Sequence, residues 1–313
     1  MTIKNNRRML WIDILKGIGI LSIMYAHTTN YAGVFIYAVP LFFIISGFLH
    51  HPTDDFNHFF LKSAKRMLLP YLAFFFIFSL FHIVMAENPW LEFVGRMKLL
   101  LWSGNRMQGE FGVFWFINVL FLSLNLFNYM QVKHTPIWAY FCLYLLANSL
   151  YIWNVNYPWN VQTIPLALSY MYVGSVMKPC CSRSNLGKIS SVKFVCMLFL
   201  LIAIVCIPSN VWINMKYNHY GVPFISFILS IITIVILAVI SVKLETYPYL
   251  SSFLGYCGKA SLFLMYIHQA INLHLHFIPD RLIVFILTVL FSLILYFITS
   301  KFDYGRYILC GEK

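Results

Sequence analysis

The sequence predicts an all-α, polytopic transmembrane helical bundle of about ten spans with both termini cytosolic. Three observations carry this expectation. Of 313 residues, 61% are hydrophobic and only 10% are charged, where a soluble domain carries about 25%; the mean hydropathy is +0.77. Ten apolar runs approach the roughly 20 residues a helix needs to cross the hydrocarbon core. Finally, Lys and Arg gather in alternate connections. With the N-terminus inside, fifteen fall in cytosolic segments and five (Arg96, Lys98, Arg106, Lys216, Arg281) outside, while Lys16 and Lys259 lie in or beside helices. A bias of this kind sets orientation.

The same figures exclude other classes. A net charge of +12 would suggest nucleic acid in a soluble protein. Here it follows from the positive-inside bias and an anionic ligand on the cytosolic face, and no basic run is long enough for a nucleic-acid arm. Seven scattered Cys, an odd number without framework spacing, argue against a disulfide scaffold. No Cys/His spacing resembles a zinc site, so no metal is expected. Arg7 and Arg8 could open a signal peptide, but Asp13 and Lys16 interrupt the apolar core and no small-residue cleavage site follows.

The expected spans cover 10–28, 34–50, 67–86, 112–131, 137–153, 161–178, 194–208, 222–242, 256–273 and 282–300, within one membrane domain over 1–313. The first contains "WIDILKGIGILSIMYAHTTN". Polar groups in a spanning helix are costly unless paired or facing a cavity, so Asp13, Lys16 and His27 are functional candidates. Asp13 and Lys16, three apart, can pair on one face. Lys16 and His27 are eleven apart, which places them within about 20° of one line and roughly 16 Å apart along the axis. Snorkelling of Lys16 to headgroups and capping by His27 are the structural alternatives. The second span ends "VPLFFIISGFLHH" and leads into "FLKSAKRMLLPYLAFF". If helical, that stretch puts Lys62, Lys65 and Arg66 on one face, suited to holding phosphates or to anchoring on anionic lipid.

A long connection over 87–111 with Trp90 and Trp102 precedes the fourth span, which opens "FWFINVLF"; long loops are often functional. The fifth and seventh spans are short. The sixth follows "NVNYPWN", whose aromatic and amide groups, with those of 87–118, suit a sugar as well as an interface. The ninth reads "GYCGKASLFLMYIHQAINL". His268, Gln269 and Asn272 are hard to reconcile with lipid contact, and a helix–helix hydrogen bond is the alternative to a functional role.

Together these pieces resemble the acyltransferase-3 family of integral membrane O-acyltransferases, nearest its fucose 4-O-acetylase-like surface polysaccharide branch. "IDILKGIGILSIMYAH" matches the family's basic residue, ten residues, then His, through Lys16 and His27. "PLFFIISGFL" matches through Ser46, Gly47, Phe48 and Leu49, and "KSAKRMLLPY" is similar to the basic cluster before Pro-Tyr. "FWFINVLF" matches through Trp115 and Phe116, and "GKASLFLMYIHQ" through Ser261, Tyr266 and His268. Lys16 stands where many members have Arg, and two of the three clustered cations are Lys; Lys binds phosphate as a point charge without the guanidinium fork.

The resemblance implies transfer of an acetyl group from cytosolic acetyl-CoA, a co-substrate rather than a permanently bound cofactor, to a sugar hydroxyl of a surface polysaccharide or its lipid-linked precursor, in a bacterial inner membrane. The expected partners are acetyl-CoA, the glycan acceptor and membrane lipid. Lys62, Lys65 and Arg66, with Lys16, would hold the phosphates, and His27 would act as general base. Asn118, Trp115 or His268 would supply an oxyanion donor, Asp13 would orient Lys16, and Ser46 would support the site. A transporter or flippase of a polysaccharide or lipid-linked sugar, a succinyl donor and a non-sugar acceptor are the rival readings.

Overall fold

A computed structural model describes residues 9–206 and 208–312. Lys4, Arg7, Arg8 and Lys313, which entered the charge count and the signal-peptide argument, lie outside the described residues. The described residues form helices joined by short turns and connections. The helices are α1 (Leu10–Thr29), α2 (Phe35–Leu49), α3 (Phe56–Met85), α4 (Pro89–Trp102), α5 (Trp115–Val132), α6 (Ile137–Ile152) and α7 (Ile164–Met177). After a short α8 (Arg183–Gly187) follow α9 (Ser191–Val205), α10 (Ile225–Leu244), α11 (Pro248–Lys259), α12 (Ser261–His274), α13 (Arg281–Lys301) and α14 (Asp303–Ile308). No β-strand forms among the described residues.

Each apolar run read from the sequence is helical over most of its described residues. Six helical segments (α1, α2 with its preceding turn, α3, α5 with its preceding turn, α10 and α13) are long and apolar enough to cross a membrane, and α11–α12 makes a seventh if counted as one broken span. α6, α7 and α9 run 16, 14 and 15 residues, each shorter than the 20 that span the core upright. The ninth expected span is not one straight helix. α11 and α12 meet at 81° across Ala260. α11 is held against α1, because a Cβ on Gly258 would meet Asp13 O and the Gly17 amide, and a Cβ on Gly17 would meet Leu254 O. A second pair of glycines, Gly47 and Gly174, brings α2 and α7 into backbone contact in the same way. Small residues are what permit such approaches.

α1 is the central helix, lying against α2, α10, α11, α12 and α13. Its first turn is capped from outside: Trp11 N donates to Glu245 Oε1 at 3.0 Å, and Glu245 in turn accepts from Arg183 Nε at 2.6 Å. α3 begins eleven residues before the expected third span, at Phe56 rather than 67. Asp55 caps it by accepting from His58 N at 3.0 Å, so the basic stretch is helical. The connection over 87–111 is also largely structured, as α4 and two short 3-10 turns.

Candidate active site

Two cavities open at the two ends of α1. The first, about 880 Å³, is lined by Asp13 and Lys16 of α1, by His58, Lys62, Lys65 and Arg66 of α3, by Lys259 and Ser261 at the α11–α12 break, and by Cys310 and Glu312 after α14. Lys62, Lys65 and Arg66 are spaced three and four along α3, so one helical face delivers all three. Lys16 and Lys259 join them from other elements, giving five cations against Asp13 and Glu312. Glu312 lies 4.0 Å from Lys259 Nζ and accepts from Tyr296 OH at 2.8 Å.

The second cavity, about 300 Å³, is lined by His27 of α1, Trp115 of α5, Gln269 of α12, and Gln108, Asn214, Lys216 and Tyr217 from the connections around them. The His27 ring stands 5.4 Å from that of His268 and 5.5 Å from Phe35, centroid to centroid. Asn272 Nδ2 donates to His27 O at 3.1 Å, tying α12 to the end of α1. His268 is fully buried. Its Nδ1 is 2.8 Å from Leu264 O; a carbonyl only accepts, so Nδ1 carries the proton. In the neutral ring Nε2 is then an acceptor, and no protein group partners it. Gln269 Oε1 is likewise buried without a protein partner.

The cavities approach each other closely. Leu262 lines the first and Met265 the second, three residues or about 5 Å apart along α12. On α1 the line from Lys16 to His27 passes Ile20, which is fully buried, and Ile23, which lines the second cavity.

Most of the residues singled out in the sequence converge on these two places. Asp13, Lys16, Lys62, Lys65 and Arg66 share the first cavity; His27 and Trp115 share the second, with His268 beside His27. His268 lies beside His27 without lining either cavity, and Ser46 and Asn118 reach neither. Ser46 Oγ donates to Phe42 O at 2.7 Å, within its own helix. Asn118 Nδ2 donates to Ser103 Oγ at 2.5 Å, in a buried cluster with Tyr71 OH. The aromatic and amide residues of 154–160 also do other work. Trp159 Nε1 donates to Leu101 O at 2.8 Å, and Asn160 Nδ2 to Lys216 O at 2.8 Å.

Sequence reasoning missed Lys216 as a lining residue, and did not assign Lys259 or Glu312 to a site. Lys216 sits in a short turn, 23 residues after Lys193 and 27 before Lys243, with no motif around it; only its folding against Met107, where Nζ donates to the carbonyl at 2.7 Å, brings it to the cavity. Burial pushes its pKa down to about 8.

The acyltransferase domain family matches residues 9–300. Neither a curated protein nor a solved structure matches the chain. The matched range takes in both cavity-bearing ends of α1 and every apolar helix, and the chain belongs to this family of membrane acyltransferases.

Proposed function

We propose that this protein is a membrane O-acetyltransferase of the fucose 4-O-acetylase-like branch. It would move an acetyl group from cytosolic acetyl-CoA to a sugar hydroxyl of a surface polysaccharide or its lipid-linked precursor. In this reading the chain crosses the inner membrane ten times with both termini cytosolic, and α6, α7 and α9 cross as short helices.

The observation that supports it best is the layout of α1, with a five-cation cavity at the Lys16 end and an imidazole-bearing cavity at the His27 end. Phosphates of coenzyme A are matched by Lys16, Lys62, Lys65, Arg66 and Lys259, through charge-assisted hydrogen bonds. The long, thin pantetheine arm follows α1 towards His27 and presents the thioester there. The sugar hydroxyl attacks the thioester carbon while His27 takes its proton. A C–O bond forms, the C–S bond breaks, and the proton goes from His27 to the departing thiolate, giving the ester and free coenzyme A. The buried His268 ring packs 5.4 Å from the His27 ring and limits how far that ring can turn.

The test uses purified protein in detergent with acetyl-CoA, and mass spectrometry of surface glycan from cells carrying each variant. His27→Ala is expected to lower acetylation by about 10²- to 10⁴-fold with the protein level in the membrane unchanged. Full activity in that variant, or unacetylated glycan in cells with the wild-type protein, would sink the reading and favour a transporter.

A further inference from the structure

Acetyl transfer as described does not use Lys216. Among the described residues it is the one side chain of formal charge on the wall of the His27 cavity, and its position is built from several directions. Asn160, itself fully buried, holds the Lys216 carbonyl, and Thr163 Oγ1 holds the Met215 carbonyl at 3.1 Å. Asn214 and His219 close the turn by exchanging backbone hydrogen bonds of 2.7 and 3.0 Å. The ammonium spends one donor on Met107 O and lies 5.3 Å from the Tyr217 ring.

The neighbouring charges are engaged elsewhere. Glu110 pairs with His82, and Arg106 lies 3.9 Å over the Trp102 ring. His27 on α1 and Tyr217 in the same turn are the other titratable groups on this wall. A half-buried ammonium given a single neutral acceptor is costly. A glutamine could tie down the Met107 carbonyl without a charge. An anion brought in by the ligand compensates the charge, and a pocket of this volume is at the small end of ligand sites, the size for one sugar unit.

We propose that the His27 cavity takes an acidic sugar unit, with Lys216 Nζ holding an oxyanion, carboxylate or phosphate, of the acceptor while a hydroxyl of the same unit faces His27. The hydroxyl's role rests on the acetyl-transfer reading; recognition of the anion does not.

The experiment measures binding of three probes to purified protein by calorimetry: D-galacturonate, galactose 1-phosphate and methyl galactoside. In the wild type, at least one anion is expected to bind ten or more times tighter than the neutral sugar. Galacturonate as the preferred probe points to an acidic sugar, and the phosphate to a phosphorylated or lipid-linked one. Lys216→Met should erase the preference and leave methyl galactoside binding unchanged; Lys216→Arg should keep it. Equal binding of all three probes by the wild type, or binding of none, overturns the proposal and needs no variant to fold. A Lys216→Met protein that keeps the preference but loses turnover also overturns it, and makes Lys216 a stabiliser of the tetrahedral oxyanion. His27→Ala should retain the preference. A preference without acetyl transfer therefore counts against the enzyme reading alone, and transfer without a preference counts against this inference alone.

Discussion

A histidine whose Nδ1–H donates to a backbone carbonyl can only accept at Nε2 while neutral. His268 is in that position on Leu264 O, fully buried, with its ring 5.4 Å from His27. Its part in the proposed reaction is to position the His27 ring. His268→Ala leaves a gap beside the His27 ring and is expected to lower turnover by about 10- to 100-fold, because a base held less firmly is in the productive geometry less of the time. The KM for acetyl-CoA should stay the same, because the cations that would hold it line the other cavity. A raised KM with unchanged kcat would contradict this. Lys216 carries the pH dependence. Burial lowers its pKa to about 8, so the free site holds its positive charge below about pH 8 and loses it above. Anion binding should therefore weaken as pH rises past about 8, approaching tenfold per unit, while Lys216→Arg should stay flat over the same range. The sign for stability runs the other way. The unfolded chain holds the proton up to the ordinary lysine value of 10.5, so this residue's destabilising effect is present below about 8 and is relieved between there and 10.5.

At the scale of elements, two glycine crossings set the geometry of the bundle. Gly17 and Gly258 let α1 and α11 touch along their backbones, and Gly47 and Gly174 do the same for α2 and α7. Gly17 is next to Lys16 and Gly258 next to Lys259, so the crossing also fixes two cations of the first cavity. Gly17→Ala places a methyl group against Leu254 O and the Gly258 amide, atoms of two rigid helices that cannot swing aside. It should destabilise the fold by about 1–3 kcal/mol or more, read as a lower melting temperature in detergent. Gly95, exposed on α4 with nothing near its missing Cβ, supplies the contrast. Gly95→Ala should be neutral or stabilise by about 0.5–1 kcal/mol. Equal losses at the two positions would remove the crossing argument.

Over the whole molecule, charge is divided between the two ends of α1. Five cations surround the larger cavity, opposed by Asp13 and Glu312, while among the described residues Lys216 is the one formally charged side chain at the smaller one. Exposed charge pairs are screened by salt, so the KM for acetyl-CoA should rise with ionic strength. Replacing Lys62 and Lys65 together by Ala should raise it by about tenfold or more, with kcat at saturation little altered, the pattern of lost uniform binding. A fall in kcat at unchanged KM would place these residues in the chemistry instead. Glu312 competes for the same cations from the segment after α14, where Gly311 packs against Arg66 O.

Composition and periodicity alone determined that the chain is helical, apolar and rich in membrane-length segments, because crossing hydrocarbon demands unbroken apolar runs whose backbone satisfies itself. They also determined that Lys16 and His27 share one line, since a single continuous helix fixes angle and rise from residue number. The basic face of α3 was legible for the same reason. Only the tertiary structure decided what meets those faces. The 81° break at Ala260, which sends Lys259 to one cavity and Gln269 to the other, depends on Gly258 packing against α1, a contact between residues more than two hundred positions apart. Asn118 and Ser46 looked as available as Trp115 in the sequence, yet Asn118 is taken up by Ser103, and Ser46 by its own helix. Lys216 gave no signal at all. A lone lysine in a loop acquires a role only when distant segments carry it to a histidine, and helical periodicity says nothing about that meeting.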